Sequence, residues 1–332
     1  MMGQLKNLVK RLMLAILPYE WIRFIKFTRK SRWRLEQLER NMQRLSARMA
    51  FEQYGDTAPK QALRSIINQH EFGVYSQNGE DGILLYIYSQ VGTTNRAFVE
   101  FGIQDGRECN SANLAINFGW HGLLMELTEH DVLSAREYYK AMLGERQADV
   151  KIRQQLVTAE NINGILKEEQ VVPEPDLFCI DIDSNDYWVW KAIDAVRPRV
   201  MIVEYNPVYG PTRSLTIPYQ QGAFNRFDWH FSGFYFGASL TALTYLGEEK
   251  GYVLVGCDST GTNAIFVRRD VIAGELKALT PQQAYYRSLH YYNDVHQDGI
   301  VDIPDQFPYI EHLKFVEIPK PVTVQQESST VS

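Results

Sequence analysis

The stretch LFCIDIDSNDYWVWKAI, residues 177–193, joins a short apolar run to three carboxylates and a helical segment. The run ends in Asp181 and Asp183, Asp186 follows, and the aromatic segment begins at once. A continuous apolar run of this length before a helix is typical of a strand buried on both faces of a parallel sheet. The three acids are therefore expected at the carboxyl end of such a strand.

Short apolar runs alternate with helical segments from about residue 70 to residue 270. The pattern predicts strands at 97–102, 122–127, 151–157, 177–182, 199–205, 252–257 and 263–268, and helices at 80–91, 110–118, 130–143, 159–169, 186–195, 239–250 and 281–289. Such alternation favours an α/β fold with a mainly parallel, doubly wound sheet. Only the turn DSTGT separates the last two strands, which are therefore expected to form an antiparallel hairpin at the sheet edge.

A glycine-containing turn follows the first predicted strand in VEFGIQDG, residues 99–106. Gly102 and Gly106 would let a ligand approach the backbone and would expose amides at the next helix N-terminus. An ordinary tight turn is the alternative, because Gln104 stands where a dinucleotide-binding motif has glycine. Glu126 ends the second strand, where an acid can accept hydrogen bonds from ribose hydroxyls, so the combination indicates a nucleoside site.

Two segments resemble S-adenosylmethionine-dependent methyltransferases. VEFGIQDG is similar to their acid-x-Gly-x-x-x-Gly motif, and residues 177–193 resemble the segment LLKIDVEGxELxVLKGA of the FkbM type. On that match the family's Asp, two Glu and Lys correspond to Asp181, Asp183, Asp186 and Lys191. The resemblance spans about residues 75–270 and includes MIVEYNP and NAIFVRR. Ser184 and Cys179 depart from the family's usual Gly and Lys, which marks a divergent subgroup.

The resemblance implies a Rossmann-like methyltransferase fold and S-adenosylmethionine as the methyl donor. It also implies O-methylation, and the acceptor expected here is a hydroxyl of a sugar or glycan. The residues expected to bind the cofactor are Glu100, Gly102, Gln104, Gly106, Glu126 and Asp181.

The carboxylates have three roles open to them. Ligands of an open parallel sheet lie beyond the carboxyl ends of the strands, and Asp181 and Asp183 point to the same side if both are extended. With Glu204 of the next strand, these two are the expected catalytic residues, one of them a general base for the acceptor hydroxyl. Asp181, Asp183 and Asp186 could instead bind Mg²⁺, or some of them could cap the following helix.

Two further segments are expected near the site. Residues 206–236, rich in Pro, Gly and aromatic residues, follow the fifth strand, where a lid or acceptor wall belongs. Aromatic faces suit sugar rings, although most of four aromatic residues are interpreted as core: Trp229, Phe231, Phe234 and Phe236. His230 is assigned a structural role. The segment YSQNGEDGIL, residues 75–84, either caps a helix or closes over the cofactor.

The N-terminal 50 residues are strongly basic. They hold twelve Lys and Arg against three Glu, a formal charge of +9 that leaves −15 for the rest of a chain whose net charge is −6. Residues 1–30 fit an amphipathic helix at an anionic membrane surface, or one packed on its own domain or a partner. A short heptad pattern in residues 31–50 could support a homo-oligomer. No nucleic-acid partner is expected.

The chain is thus divided into a basic helical arm with a short heptad segment (1–55), a methyltransferase-like domain (70–275), and a helical extension with a disordered tail (276–332). Its three cysteines lack CxxC spacing, which indicates a reducing compartment. A cytoplasmic protein is expected, located at the inner membrane surface if the arm binds lipid. Two alternatives remain open: a metal-dependent glycosyltransferase with Asp181 and Asp183 as a DxD pair, and a non-catalytic methyltransferase-like scaffold.

Overall fold

A computed structural model describes residues 65–287 and 306–321. The basic arm, the heptad segment and the tail QQESSTVS lie outside the described residues, so the predictions made for them remain predictions. Among the described residues no helix has both the length and the apolar content needed to cross a bilayer.

Seven strands form one sheet in the order β3-β2-β1-β4-β5-β8-β7. The strands of the chain are β1 Ala97–Phe101, β2 His121–Glu126, β3 Val150–Gln154, β4 Leu177–Ile180, β5 Val200–Glu204, β6 Leu215–Thr216, β7 Tyr252–Cys257, β8 Asn263–Arg268 and β9 Val316–Glu317. Strands β1 to β5 are parallel, whereas β8 is antiparallel to both β5 and β7. The predicted parallel Rossmann-like sheet with an antiparallel edge hairpin is confirmed.

Helices cover both faces of this sheet. They are α1 Glu80–Val91, α2 Ala112–Phe118, α3 Glu129–Leu143, α4 Ile162–Glu168, α5 Asp186–Ala192, α6 Arg226–Trp229, α7 Leu240–Glu249 and α8 Pro281–Ala284. Apolar residues of α1, α2 and α3 pack on one face, and those of α4, α5 and α7 pack on the other. The sheet is therefore doubly wound, with a hydrophobic core on each side.

Strand β4 shows why the apolar runs are continuous. Phe178 and Ile180 belong to the core beneath α5, while Leu177 and Cys179 belong to the core beneath α1. Successive side chains of a strand point to opposite faces, so a strand covered on both sides must be apolar throughout. The acids begin one residue after the strand ends, which places them at the carboxyl edge of the sheet.

The C-terminal part is less helical than predicted. The helix expected at 281–289 is a single turn that ends at Ala284, because Tyr285 has extended backbone angles. Among residues 306–321 the regular elements are a 3-10 turn at Phe307–Tyr309 and strand β9, which pairs with β6. A strand therefore stands where the prediction placed only a helical extension and a tail.

The segment after β5, residues 206–237, forms the outer wall of the fold and has its own small core. Asn206 anchors it, because its side-chain amide donates to the carbonyls of Phe234 and Phe236 at 2.8 and 2.9 Å. These two aromatic residues are buried as predicted, but Trp229 is 47% exposed and Phe231 is 74% exposed. The interpretation of the four aromatics as core therefore holds for only two of them.

Candidate functional site

The candidate residues lie side by side in one row across the strands of the sheet. The register places Glu126, Gly102, Asp181 and Glu204 side by side at the carboxyl ends of β2, β1, β4 and β5. Asn263, at the amino end of the antiparallel strand β8, is the register partner of Glu204. The strand order reverses between β1 and β4, the position at which open sheets of this class bind ligands.

The glycine turn is shaped by packing within the protein. Gly102 has φ +82°, and a Cβ built on it would lie 1.5 Å from the carbonyl oxygen of Asp181. Gly106 has φ +74°, and its Cβ would lie 3.0 Å from side-chain atoms of Ala135 and Tyr139 in α3. Only glycine fits such close approaches at positive φ. Gln104 also has a positive φ, 50°, so it adopts a conformation more typical of glycine.

Glu126 holds this turn in place. One carboxylate oxygen accepts from the backbone amide of Gln104 at 2.9 Å, and the other accepts from Leu127 at 2.8 Å and Thr128 at 3.1 Å. The side chain is half-buried and lines the cleft described below. It therefore joins the turn after β1 to the start of α3 and stands where a ribose-binding acid is predicted.

Glu100 organises the start of α2. Its oxygens accept from the amides of Asn110 and Ser111, both at 2.8 Å, and from the Ser111 hydroxyl at 2.5 Å. Burial raises the pKa of its carboxyl, although these donors oppose the shift. Glu100 lines the cleft as predicted, but much of its hydrogen-bonding capacity is used within the protein.

Asp186, in the first turn of α5, holds the β4–α5 loop in place. Its carboxylate accepts from the amides of Ile182 at 2.9 Å and Ser184 at 3.0 Å, and the residue is fully buried at the start of α5. Burial raises its pKa to about 6 in spite of these bonds. Both oxygens serve the β4–α5 loop, so Asp186 does not fit the predicted role of a metal ligand.

Asp183 departs from the extended geometry assumed in the prediction. Strand β4 ends at Ile180, and Asp183 has φ +57°, a left-handed conformation that costs a non-glycine residue energy and that clusters at functional sites. Its side chain is 56% exposed and lies 3.1 Å from the guanidinium of Arg226 in α6. Asp183 therefore contacts the outer wall instead of lying parallel to Asp181.

Asp181 and Glu204 form a pair of interacting carboxyls. Burial, followed by the negative charges of neighbouring acids, raises the pKa of both well above the ordinary range. Glu204 is 6% exposed, and its Oε2 has no hydrogen-bond partner in the described part of the chain. Two buried carboxyls in contact cannot both ionise readily, so the pair is expected to hold a proton at higher pH than an isolated carboxyl.

A cleft with two lobes runs along this row, and Gly102, Gln104 and Asp181 line both lobes. The wide lobe is lined by Glu126, by the residues after β3, and by Phe224 of the outer wall. The empty space, part of it open to solvent, is about 800 Å³ in the wide lobe and about 500 Å³ in the acidic lobe.

The lining of the acidic lobe carries negative charge only. Five carboxylate side chains line it, and no Lys, Arg or His does: Glu80, Glu100, Asp105, Glu108 and Asp181. The lobe therefore favours a cationic ligand group. Among the described residues, those of this lobe included, no group of three or more His, Cys, Asp or Glu is arranged to hold a metal ion.

The outer wall is fixed to α5 beside the wide lobe. Asn185 donates to the carbonyl of Gln220 at 2.8 Å and accepts from its amide at 3.0 Å, and Trp188 donates to the carbonyl of Ile217 at 2.9 Å. The wall then brings Phe224 into the cleft, where Trp229 stacks against it with ring centroids 6.1 Å apart.

The segment at residues 75–84 is bonded to the start of α1. The carboxylate of Asp81, in the first turn of α1, accepts from the amides of Val74, Tyr75 and Ser76 at 2.6–2.9 Å, and the Ser76 hydroxyl accepts from the Asp81 amide at 3.0 Å. Asn78, from the same segment, lines the acidic lobe. Closure of the segment over the cofactor stays a prediction.

Sequence reasoning missed Asn263 and Arg226 as site residues. Asn263 reaches Glu80 of α1, and Arg226 reaches Asp183, through contacts that join distant parts of the chain. The only local signal was the polar first residue of the strand NAIFVR.

Comparison with known proteins found no family model and no curated protein sequence that matches this chain. Solved structures show distant likenesses. A candidate caffeoyl-CoA O-methyltransferase from Staphylococcus aureus has 13% identity and a TM-score of 0.39, over 68% of this chain and 99% of that one. Magnesium protoporphyrin IX methyltransferase from Synechocystis PCC 6803 with bound SAH has 12% identity and a TM-score of 0.37, over 68% and 94%.

An O-methyltransferase from Bacillus cereus in complex with SAH has 19% identity and a TM-score of 0.31, over 53% of this chain and 68% of that one. Likenesses as distant as these carry no argument about the reaction. The functional assignment therefore rests on the cleft of this chain.

Proposed function

We propose that this protein is an S-adenosylmethionine-dependent O-methyltransferase of the FkbM type. The observation that carries the proposal is the two-lobed cleft at the point of strand reversal, with Glu126 in one lobe and only acidic charge in the other. The donor has a ribose for the first lobe and positively charged sulfonium and ammonium groups for the second. Its amino-acid end also carries a carboxylate, so the donor as a whole is a nucleoside with one net positive charge, which matches both lobes.

The acidic lobe also disfavours the glycosyltransferase alternative. A nucleotide-sugar donor carries a diphosphate, and its phosphates need Lys, Arg, backbone amides or a divalent ion as partners. Of the two residues of the proposed DxD pair, Asp183 is paired with Arg226 and Asp181 interacts with Glu204. Carboxylates that are engaged in this way do not fit the ligand set of a metal-bound diphosphate. The proposed reaction therefore has no step that uses Mg²⁺.

The acceptor is proposed to be a hydroxyl of a sugar or glycan. Phe224 lines the wide lobe and its ring is stacked with that of Trp229, and aromatic faces pack well against the apolar faces of sugar rings. Asp181 and Asp183 line the same lobe and can accept hydrogen bonds from hydroxyls. An acceptor in this position would lie between the aromatic wall and the carboxylates.

The protein's contribution to the reaction is proposed to be positioning and proton transfer. Bound S-adenosylmethionine supplies an electrophilic methyl carbon, which the acceptor oxygen attacks as the carbon–sulfur bond breaks. Asp181 takes the hydroxyl proton, and its burial beside the negative charges of Asp183 and Asp186 keeps its pKa high enough for that task. The lobes hold the reacting atoms in line, which lowers the entropic part of the barrier.

Calorimetry with three ligands tests this assignment. We expect S-adenosylhomocysteine to bind with micromolar or tighter affinity, and UDP or GDP with Mn²⁺ to give no heat of binding above background. Saturable binding of a nucleotide diphosphate with Mn²⁺, together with no response to S-adenosylhomocysteine, contradicts the proposal. Binding of S-adenosylhomocysteine without methyl transfer to any sugar in an acceptor panel favours the non-catalytic scaffold.

The basic arm is proposed to bring this cytoplasmic enzyme to an anionic membrane surface. Attraction to such a surface is worth about 1 kcal/mol per basic residue close to it, and residues 1–50 carry +9. We expect the full chain to co-sediment with phosphatidylserine vesicles at low salt, less so at high salt, and truncation of residues 1–50 to abolish sedimentation. Equal sedimentation of both proteins would contradict membrane binding by the arm. It would favour homo-oligomerisation through residues 31–50 as the role of the arm.

A further inference from the structure

The edge hairpin of the sheet reaches the acidic lobe through Asn263, the first residue of β8. Asn263 is 4% exposed, yet it lines the lobe. Its backbone amide donates to the carboxylate of Asp258, and its backbone carbonyl accepts from the Asp258 amide at 3.1 Å. Since both main-chain groups are occupied, the side-chain amide is the part of Asn263 that is available to a ligand.

The orientation of this amide is determined by Glu80. The Asn263 Nδ2 donates to Glu80 Oε1 at 2.8 Å, while the other Glu80 oxygen accepts from the amide of Asn78 at 2.9 Å. A carboxylate in this setting accepts hydrogen bonds, so the nitrogen of Asn263 faces Glu80 and its oxygen takes the opposite direction. That oxygen, Oδ1, is buried and has no hydrogen-bond partner among the described residues.

An unpaired, buried carbonyl oxygen is costly unless a ligand donates to it. The residue that carries it lines a lobe whose only charged side chains are carboxylates, including Glu100 and Asp181. Buried acids without a basic partner in the lining create a negative field that a cation would relieve. The geometry calls for a ligand group that is both positively charged and a hydrogen-bond donor.

We propose that Asn263 Oδ1 accepts a hydrogen bond from the ammonium group of the cofactor's amino-acid end, so that the edge hairpin and α1 select a cofactor with a free amine. This inference rests on the proposed function and deepens it. Asn263 is then a specificity-determining residue, and Glu80 is a positioning residue that orients its amide. The glycine turn binds the rest of the cofactor without this contact.

Binding of two nucleosides tests the inference. S-adenosylhomocysteine has the amino-acid end, whereas 5′-methylthioadenosine lacks it. We expect Asn263→Ala to weaken binding of S-adenosylhomocysteine by about 10- to 100-fold, as for loss of a hydrogen bond to a charged group. Affinity for 5′-methylthioadenosine should change by less than about 3-fold, because a general structural loss would weaken both ligands alike.

Asn113→Ala is the matched control, since Asn113 is an equally buried Asn of α2 that lines neither lobe. It should leave the ratio of the two affinities unchanged. Equal loss for both ligands in Asn263→Ala, or no loss for either, overturns the role of Asn263. If the native protein binds neither nucleoside, the proposed function itself fails, which is a distinguishable result.

A measurement on the native protein avoids dependence on the folding of a variant. N-acetylation of S-adenosylhomocysteine removes the charge of the amine, and methyl esterification removes the charge of the carboxylate. We expect the acetylated ligand to bind at least about 10-fold more weakly and the ester to bind within about 3-fold of the parent. A larger loss for the ester than for the acetylated ligand overturns the inference.

Discussion

The substitution Asp181→Asn is expected to lower the rate of methyl transfer by about 10²- to 10⁴-fold at saturating cofactor, the usual contribution of a general base. Asparagine keeps the shape of the side chain, but it cannot take a proton from the acceptor hydroxyl. Transfer of radiolabelled methyl groups to a panel of mono- and oligosaccharides gives the rate, and calorimetry with S-adenosylhomocysteine separates lost binding from lost chemistry.

Asp183→Asn is the comparison, because the sequence made Asp183 a candidate for the base. Its side chain is more than half exposed and is paired with Arg226 of the outer wall. We expect its substitution to reduce turnover by less than about 10-fold, below the usual contribution of a general base. Full turnover in Asp181→Asn together with a large loss in Asp183→Asn would reverse the assignment.

The pH dependence of the rate gives an independent test of Asp181 as the base. Because the pKa of Asp181 is raised, the native rate should fall on acidification well above pH 4, where an ordinary carboxyl titrates. After burial, the negative charge of Asp183 is the largest cause of this raised pKa, so Asp183→Asn should move the acidic limb of the rate profile to lower pH. An acidic limb at the same pH as in the native protein would show that Asp183 does not act on the base.

Gly102→Ala should be the most destabilising single substitution at the site. Its Cβ would lie 1.5 Å from the backbone carbonyl of Asp181, and φ is +82°. Overpacking against backbone and a left-handed conformation each cost about 1–3 kcal/mol. We expect a loss of at least about 3 kcal/mol of unfolding free energy, measured by urea denaturation, and loss of S-adenosylhomocysteine binding.

Gly164→Ala provides the control for this substitution. Gly164 lies within α4, and a Cβ there would meet no atom within 4 Å. Alanine in that position should leave stability unchanged or raise it by up to about 1 kcal/mol, from helix propensity. A denaturation midpoint for Gly102→Ala that equals the native one would mean that β4 can move away from the turn.

The sheet could be predicted because its determinants are local. Each strand is a short apolar run, and the periodicity of the residues between the runs identified most helices. For Gly102 the sequence predicted correctly that the turn needs a glycine, but it supplied only one of the two reasons. The sequence suggested that glycine admits a ligand, whereas the structure shows that glycine also admits the carbonyl of Asp181 from the adjacent strand.

The arrangement of polar residues could be predicted only in part. Parallel strands end at one edge of the sheet, so the sequence alone predicted that the acids of the row from Glu126 to Glu204 lie close together. Asp183 could not be placed, because its left-handed backbone breaks the alternation of the strand. The contacts of Asn263 with Glu80 and of Arg226 with Asp183 join distant segments, and no local pattern encodes such pairs.

The pairing of β6 with β9 affects the order in which the enzyme can be completed during synthesis. All seven strands of the main sheet have left the ribosome once Arg268 has emerged, and domains generally fold as their residues become available. The outer wall needs later residues, because Phe307 and Ile310 belong to its core and β9 pairs with β6. The nascent chain therefore has all residues of the acidic lobe before the outer wall can be completed.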